Sequence, residues 1–226
     1  SNFKIDARFP VRDATMSYWD PLPGATEVDA DARITQSFFE AVILKGTTAG
    51  MTVTGGKILI DGLDKGKGHE LLDLTIETDG PVADLMAILD RKPLHFARFL
   101  KLKPNVLKGS VSGTMNIAFP PVADLELDDV KISASGRSRN ALLPGIAGGR
   151  DLDRTNVDFQ VNKKELRLKG SGRVVGAPVK LSAHVPCATS APYQGRYVLI
   201  GNLNNKQRAR FGLESAVFQP PFFDGP

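Results

Sequence analysis

The residues that could do chemistry are few and badly spaced for it. The three histidines, His69, His95 and His184, form no HExxH and no other metal-ligand spacing. His184 falls on the polar parity of an alternating segment, where a solvated side chain is expected, and His95 follows Pro93-Leu94 at an expected helix start. Asp151 and Asp153 have the look of a calcium loop, but the glycine and closing glutamate of an EF-hand are missing. Asp128 and Asp129 are neighbours on an expected strand, so their carboxylates point to opposite faces and cannot converge on one bond. Asp29 and Asp31 share a face, and the apolar residues between them take the other, as a solvent face requires. Gly170-Ser171-Gly172 with Gly176 has the wrong spacing for a dinucleotide fingerprint and no helix after it; Lys65–Gly68 lacks the Walker framework. No serine sits in a nucleophile elbow. The single Cys187 excludes an internal disulfide and a multi-cysteine zinc site. These residues predict neither an enzyme nor a bound cofactor.

The elements around them read as sheet. Val111, Met115, Ile117 and Phe119 alternate with Ser110, Ser112, Thr114 and Asn116, the pattern of a half-buried antiparallel strand. Similar alternation covers Val28–Ile34, Leu72–Ile76, Val157–Val161 with Phe159, Leu166–Val174, and Val179, Leu181, Ala183 and Val185. Pro23-Gly24, Gly55-Gly56, Asp64–Gly68, Pro120-Pro121, Pro144-Gly145 and Gly148-Gly149 punctuate the runs, which predicts a meander and not βαβ units. Helices are expected at three places. Pro81–Asp90 has Val82, Leu85, Met86 and Leu89 on one stripe, with Asp79 as its cap; Leu94–Leu102 and Asn205–Leu213 are the others.

The order of motifs recurs. Val11–Gly24 and Val130–Gly145 each run from a strand to a Pro-Gly turn, each precedes an alternating strand, and each leads to a Gly-punctuated hairpin, Phe39–Val53 and Glu165–Val179. Ala97-Arg98-Phe99 returns as Ala209-Arg210-Phe211. The fold class expected is mainly β: a curved, groove-like antiparallel meander of stacked repeats with two or three short helices. Residues 3–226 read as one continuous fragment of a larger protein, with approximate units 3–120 and 121–226, the second incomplete, packed against neighbouring repeats of the same chain. Ser1-Asn2 looks like the scar of a cleaved tag.

The charge is only mildly basic, +4, and the Lys and Arg residues are scattered among Asp and Glu without interleaved aromatics, so nucleic acid is not an expected partner. No apolar run approaches a membrane span.

The stretch from Asp79 to Pro186 resembles the AsmA-like family of the YhdP/TamB type, found in Gram-negative bacteria. The resemblance rests on Gly80-Pro81 before a helix, the Lys-Gly-x-Val strand at Lys108–Val111, and Phe119-Pro120. Leu127–Val130 and the glycine-spaced pattern over Leu168–Val179 belong with them. It implies a periplasmic location, an inner-membrane anchor outside this segment, and a long β-groove that moves phospholipid between inner and outer membranes in outer-membrane biogenesis. On that reading, Val111, Met115, Ile117, Phe119, Val157, Phe159, Val161, Val179, Leu181 and Val185 face lipid tails. The alternation by itself equally allows an ordinary sheet whose apolar face is covered by its own helices. A structural β-repeat scaffold or protein-interaction module of the envelope, without lipid transport, is the alternative function; an enzyme acting on envelope polymers is a third.

Overall fold

The computed structural model of the chain describes residues 4–17, 23–66, 68–91, 106–122, 125, 129–187 and 195–212. These form eleven strands in one antiparallel sheet whose spatial order follows the sequence, β1 to β11, without closing into a barrel. The strands are β1 (Asp6–Met16), β2 (Ala25–Thr35), β3 (Phe38–Thr48), β4 (Met51–Asp61), β5 (Leu71–Pro81) and β6 (Lys108–Phe119). They continue with β7 (Lys131–Ala147), β8 (Arg150–Asn162), β9 (Glu165–Val174), β10 (Ala177–Pro186) and β11 (Arg196–Gly201). Two short helices, α1 (Val82–Leu89) and α2 (Asn205–Phe211), follow β5 and β11.

Period-two alternation fixes which face is which. On β10, Ala177, Val179, Leu181, Ala183 and Val185 are all buried, and the residues between them are exposed or half-buried. The same parity crosses the sheet through the register, because directly paired residues share a face. One apolar row runs Ala32, Ala41, Ile58, Leu74, Ile117 and Ile132. The next runs Ala30, Ile43, Gly56, Ile76, Met115, Ala134, Val161, Leu166 and Val185.

Curvature comes from bulges, each of which gives one strand an extra residue and increases the local twist. In β1, the three steps from Val11 to Ala14 span only two in β2, from Ala30 to Val28. In β7, Ser138 to Ala141 does the same against Val157 to Thr155. A second bulge in β2, Thr26 to Asp29 against β3, has its counterpart in β8, Asp153 to Asn156 against β9. Non-glycine residues with positive φ mark these sites: Asp13 and Asn140 are 127 residues apart, and so are Glu27 and Arg154. The β3–β4 and β9–β10 hairpins also match. Each has a two-residue turn with both φ values positive, Ala49-Gly50 (45° and 84°) and Val175-Gly176 (47° and 84°), the geometry whose twist suits a tight hairpin. The same irregularities thus recur in the same order over β1–β4 and β7–β10. The boundary expected at residues 120 and 121 falls between β6 and β7.

The helix expected over Pro81–Asp90 forms as Val82–Leu89, and the one expected over Asn205–Leu213 as Asn205–Phe211. Asp79 does not cap α1. It lies within β5, and the N-cap is Pro81, which makes no side-chain cap bond. In contrast, α2 begins with a full capping box, Asn204 and Gln207 each bonding the other's backbone N–H, and ends on Gly212 at φ 90°. The helix expected over Leu94–Leu102, the Ala97–Phe99 motif within it and His95 lie outside the described residues.

Candidate apolar groove

The inner face of the sheet has more apolar surface than α1 can cover. α1 packs on β5 and β6, with Val82, Met86 and Ile88 buried. Its two leucines, Leu85 and Leu89, border two cavities. The larger, about 140 Å³, is bounded by α1 on one side and by strands from β6 to β11 on the other, which requires the sheet to curve round the helix. Its described lining is apolar except for Ser138, Ser182 and the Tyr197 hydroxyl. The smaller, about 70 Å³, lies on the other side of α1, over β3 to β8. Both are bordered by Leu85, Leu89, Val111, Phe159 and Val161, so a single layer of side chains separates them.

Phe159 holds a central place because its ring covers glycines. Gly113, Gly136 and Phe159 are successive members of one inner row. A Cβ on Gly136 would stand 2.7 Å from the Phe159 ring and 2.4 Å from the Ser112 carbonyl oxygen. The missing side chains let the two strands approach and leave a flat seat for the aromatic ring.

The ten residues expected to face lipid all lie on this inner face, and they divide. Val111, Met115, Val157, Phe159, Val161 and Leu181 border one or both cavities. Ile117, Phe119, Val179 and Val185 border neither and are packed, Ile117 with 0% exposure. The α1 residues Leu85 and Leu89 belong to the lining and were recognisable from the sequence only as a helix stripe. Leu143, Ile146 and Leu152 join them from the long, bulged ends of β7 and β8, where parity shifts conceal their side.

The outer face is polar and ionic. Arg33 donates from Nε and Nη2 to the two carboxylate oxygens of Asp6 (2.9 and 2.8 Å), Lys57 meets Glu40 (2.6 Å), and Arg137 meets Asp158 (2.5 Å). Such exposed pairs add little stability and serve mainly to keep the face wet and the register single. Asp29 and Asp31 lie on this face, as expected, but Asp29 has a structural task. Its carboxylate accepts the N–H of the bulge residue Asp13 at 3.0 Å and pairs with Lys45 at 3.1 Å. Asn156 does the equivalent in the second bulge, accepting the Asn140 N–H at 3.2 Å. The Asp13 N–H first, and then Lys45, hold the Asp29 carboxyl below the ordinary carboxylate range. His184 points outward and bonds Glu165 at 2.7 Å, and Arg167 grips the same carboxylate at 2.8 Å. His184 and then Arg167 lower the Glu165 pKa. Burial pushes the Cys187 thiol up to about 11, which makes it a poor nucleophile. Among the described residues, no three His, Cys, Asp or Glu side chains converge in a way that would hold a metal ion. Among the described residues, no helix is long and apolar enough to cross a membrane.

Comparisons with protein-family models, with curated proteins and with solved structures each found no match to this chain.

Proposed function

We propose that this chain is a segment of an AsmA-like periplasmic protein, anchored in the inner membrane by a part outside it, and that its groove conducts phospholipid between the inner and outer membranes. The observation that supports the reading is the inner face: apolar rows that persist from strand to strand, bordering two cavities almost free of polar groups. An acyl chain loses about 0.8 kcal/mol per CH₂ on entering water, so a chain of ordinary length faces a barrier on the order of 12 kcal/mol. An apolar trough removes most of that barrier and needs no catalytic residue or cofactor. The larger cavity, about 140 Å³, is close in size to an engineered apolar cavity of ~150 Å³ that admits benzene. It therefore seats a short stretch of a chain at a time. Passage along the groove requires the layer at Leu85, Leu89 and Phe159 to part, which joins the two cavities.

A specific observation also favours the scaffold reading. Ile117 and Val130 are fully enclosed, as in an ordinary closed core. A photo-crosslinking residue at position 159, in the full-length protein in its envelope, separates the two. The groove gives lipid adducts at 159 and none at the outward-facing position 158. Absence of adducts at 159, or equal labelling at both, would leave the scaffold standing.

A further inference from the structure

The outer face carries a difference in charge that the recurring backbone does not require. Residues 131–186, which span β7–β10, hold eleven Lys and Arg against four Asp and Glu, whereas residues 6–61, which span β1–β4, hold five against eight. The contrast is sharpest on β9. Arg167, Lys169 and Arg173 point outward and are exposed, with Ser171 completing the row at intervals of about 7 Å. On the matching strand β3 the places of the three cations are taken by Glu40, Val42 and Thr47. Gln160 with Arg167 corresponds to Arg33 with Glu40, Asp158 with Lys169 to Asp31 with Val42, and Asp153 with Arg173 to Thr26 with Thr47. Arg137 and Arg139 on β7 and Lys180 on β10 carry the basic character across four strands. Arg137 pairs with Asp158 and Arg167 with Glu165, but among the described residues Arg139, Lys169, Arg173 and Lys180 pair with no carboxylate. Ser135, Gln160, Ser171 and Ser182 stand exposed between the cations.

We infer that the outer face of β7–β10 binds a linear acidic polysaccharide, with sugar carboxylates on the cations and sugar hydroxyls on the serines and Gln160. Guanidinium groups grip carboxylates with paired hydrogen bonds, and hydroxyl and amide side chains both donate to and accept from sugar hydroxyls. A chain laid along β9 meets Arg167, Lys169 and Arg173 in turn, with Lys180 and Arg139 to either side. Other anionic partners fit this face less well. Single-stranded nucleic acid stacks its bases on aromatic rings, and a membrane surface is held by apolar and aromatic anchors. The outward positions of Lys131–Arg139, Asn156–Asn162, Glu165–Arg173 and Pro178–His184 hold no Phe, Tyr or Trp and, Pro178 apart, no aliphatic side chain. An acidic peptide would find no free backbone, because each of the four strands is laddered on both sides, and exposed ion pairs alone hold weakly. For the same reason, strands added at either edge of the sheet leave this face unchanged. It lies opposite the groove, and the inference does not depend on what the groove binds.

Isothermal titration of the 226-residue chain with polygalacturonate at low ionic strength tests it, with neutral dextran as the blank. The expected result is binding that weakens as salt is added, and none to dextran. The matching strand supplies variants that the backbone already accepts. Lys169→Val with Arg173→Thr gives β9 the residues that β3 carries at those places, and should weaken binding by roughly tenfold or more with the circular dichroism spectrum unchanged. If that pair disturbs β9, Lys180→Ser on β10 carries the same expectation at about threefold. Arg8→Ser removes an equally exposed cation from β1 and should leave the affinity as it was. Absence of binding at low salt overturns the inference, as does an equal loss from Arg8→Ser. So does equally tight binding of polyglutamate, duplex DNA or phosphatidylglycerol vesicles, since charge alone would then account for the face.

Discussion

The bulged regions β1–β3 and β7–β9 share a backbone pattern and differ in what fills it. At equivalent inner positions the first has Phe9 paired with Ala32 where the second has Gly136 paired with Phe159. Val11 paired with Ala30 corresponds to Ser138 paired with Val157. In the first region the aromatic ring stands on the edge strand, 42% exposed, and the inner floor is laid with buried alanines that join the same continuous core as the α1 residues. In the second the ring stands mid-sheet over glycines, and the core breaks into two smaller clusters beside the larger cavity. The bulges set how far the sheet bends. The volumes of the inward side chains then decide whether the space inside becomes packed core or open lining.

The strongest break in this comparison should come from the rings. Phe159→Ala should cost about 2–4 kcal/mol in denaturant titrations, and the equivalent Phe9→Ala less than ~1 kcal/mol, since only the former ring is seated in the interior. Similar costs for both would mean that the two floors are energetically alike. Next is the seat itself. Gly136→Ala should cost about 1–3 kcal/mol, because its Cβ meets the Ser112 carbonyl and the Phe159 ring. Combined with Phe159→Ala it should cost less than the sum, since the ring contact is then already gone.

The bulge clamps sharpen the comparison chemically. Asn156→Ala should cost about 1 kcal/mol by leaving the Asn140 N–H without its acceptor. Asp29 is a titrating version of the same clamp. Its folded pKa lies below the ordinary value of 3.8, so its contribution is fully present above that value and disappears as the pH falls through the depressed one. Asp29→Asn should therefore retain the clamp, and the variant's stability should fall less than that of the native chain below about pH 4. Parallel acid titrations of the two, followed by melting temperature, would contradict this. The smallest effect belongs to the twin hairpins. Val175 is β-branched and held at φ 47°, a conformation that Asn tolerates far better. Val175→Asn should stabilise by about 0.5–1 kcal/mol in thermal melts, and Ala49→Asn by less, because alanine is less crowded there.

Much of this was legible in the sequence, and the rest was hidden for definable reasons. Wherever one face is buried and the other wet, as at Lys108–Phe119 or Ala177–Pro186, alternation reveals both the strand and its orientation. β11 escapes that reading because Tyr197, Val198, Leu199 and Ile200 are apolar on both faces and leave no period of two. The bulges escape it too. Asp13, Glu27, Asn140 and Arg154 carry no glycine to announce a positive φ, yet each shifts the parity of the strand after it. Asp79 precedes a helix with the right chemistry for a cap, but β5 runs on to Pro81 and takes Asp79 into its ladder with Ser112. The ten inward residues were recognisable as one face. Their division into cavity lining and closed core depends on where α1 rests, which no strand pattern encodes.

The strict order of the strands, each paired with the one before it in sequence, bears on how the chain assembles. Every hairpin closes over a short or moderate connection, so no strand waits for a distant partner and the loop-closure entropy at each step is small. A chain emerging from its amino end can zip onto a growing edge one strand at a time. Each new strand both caps the previous edge and becomes the next template.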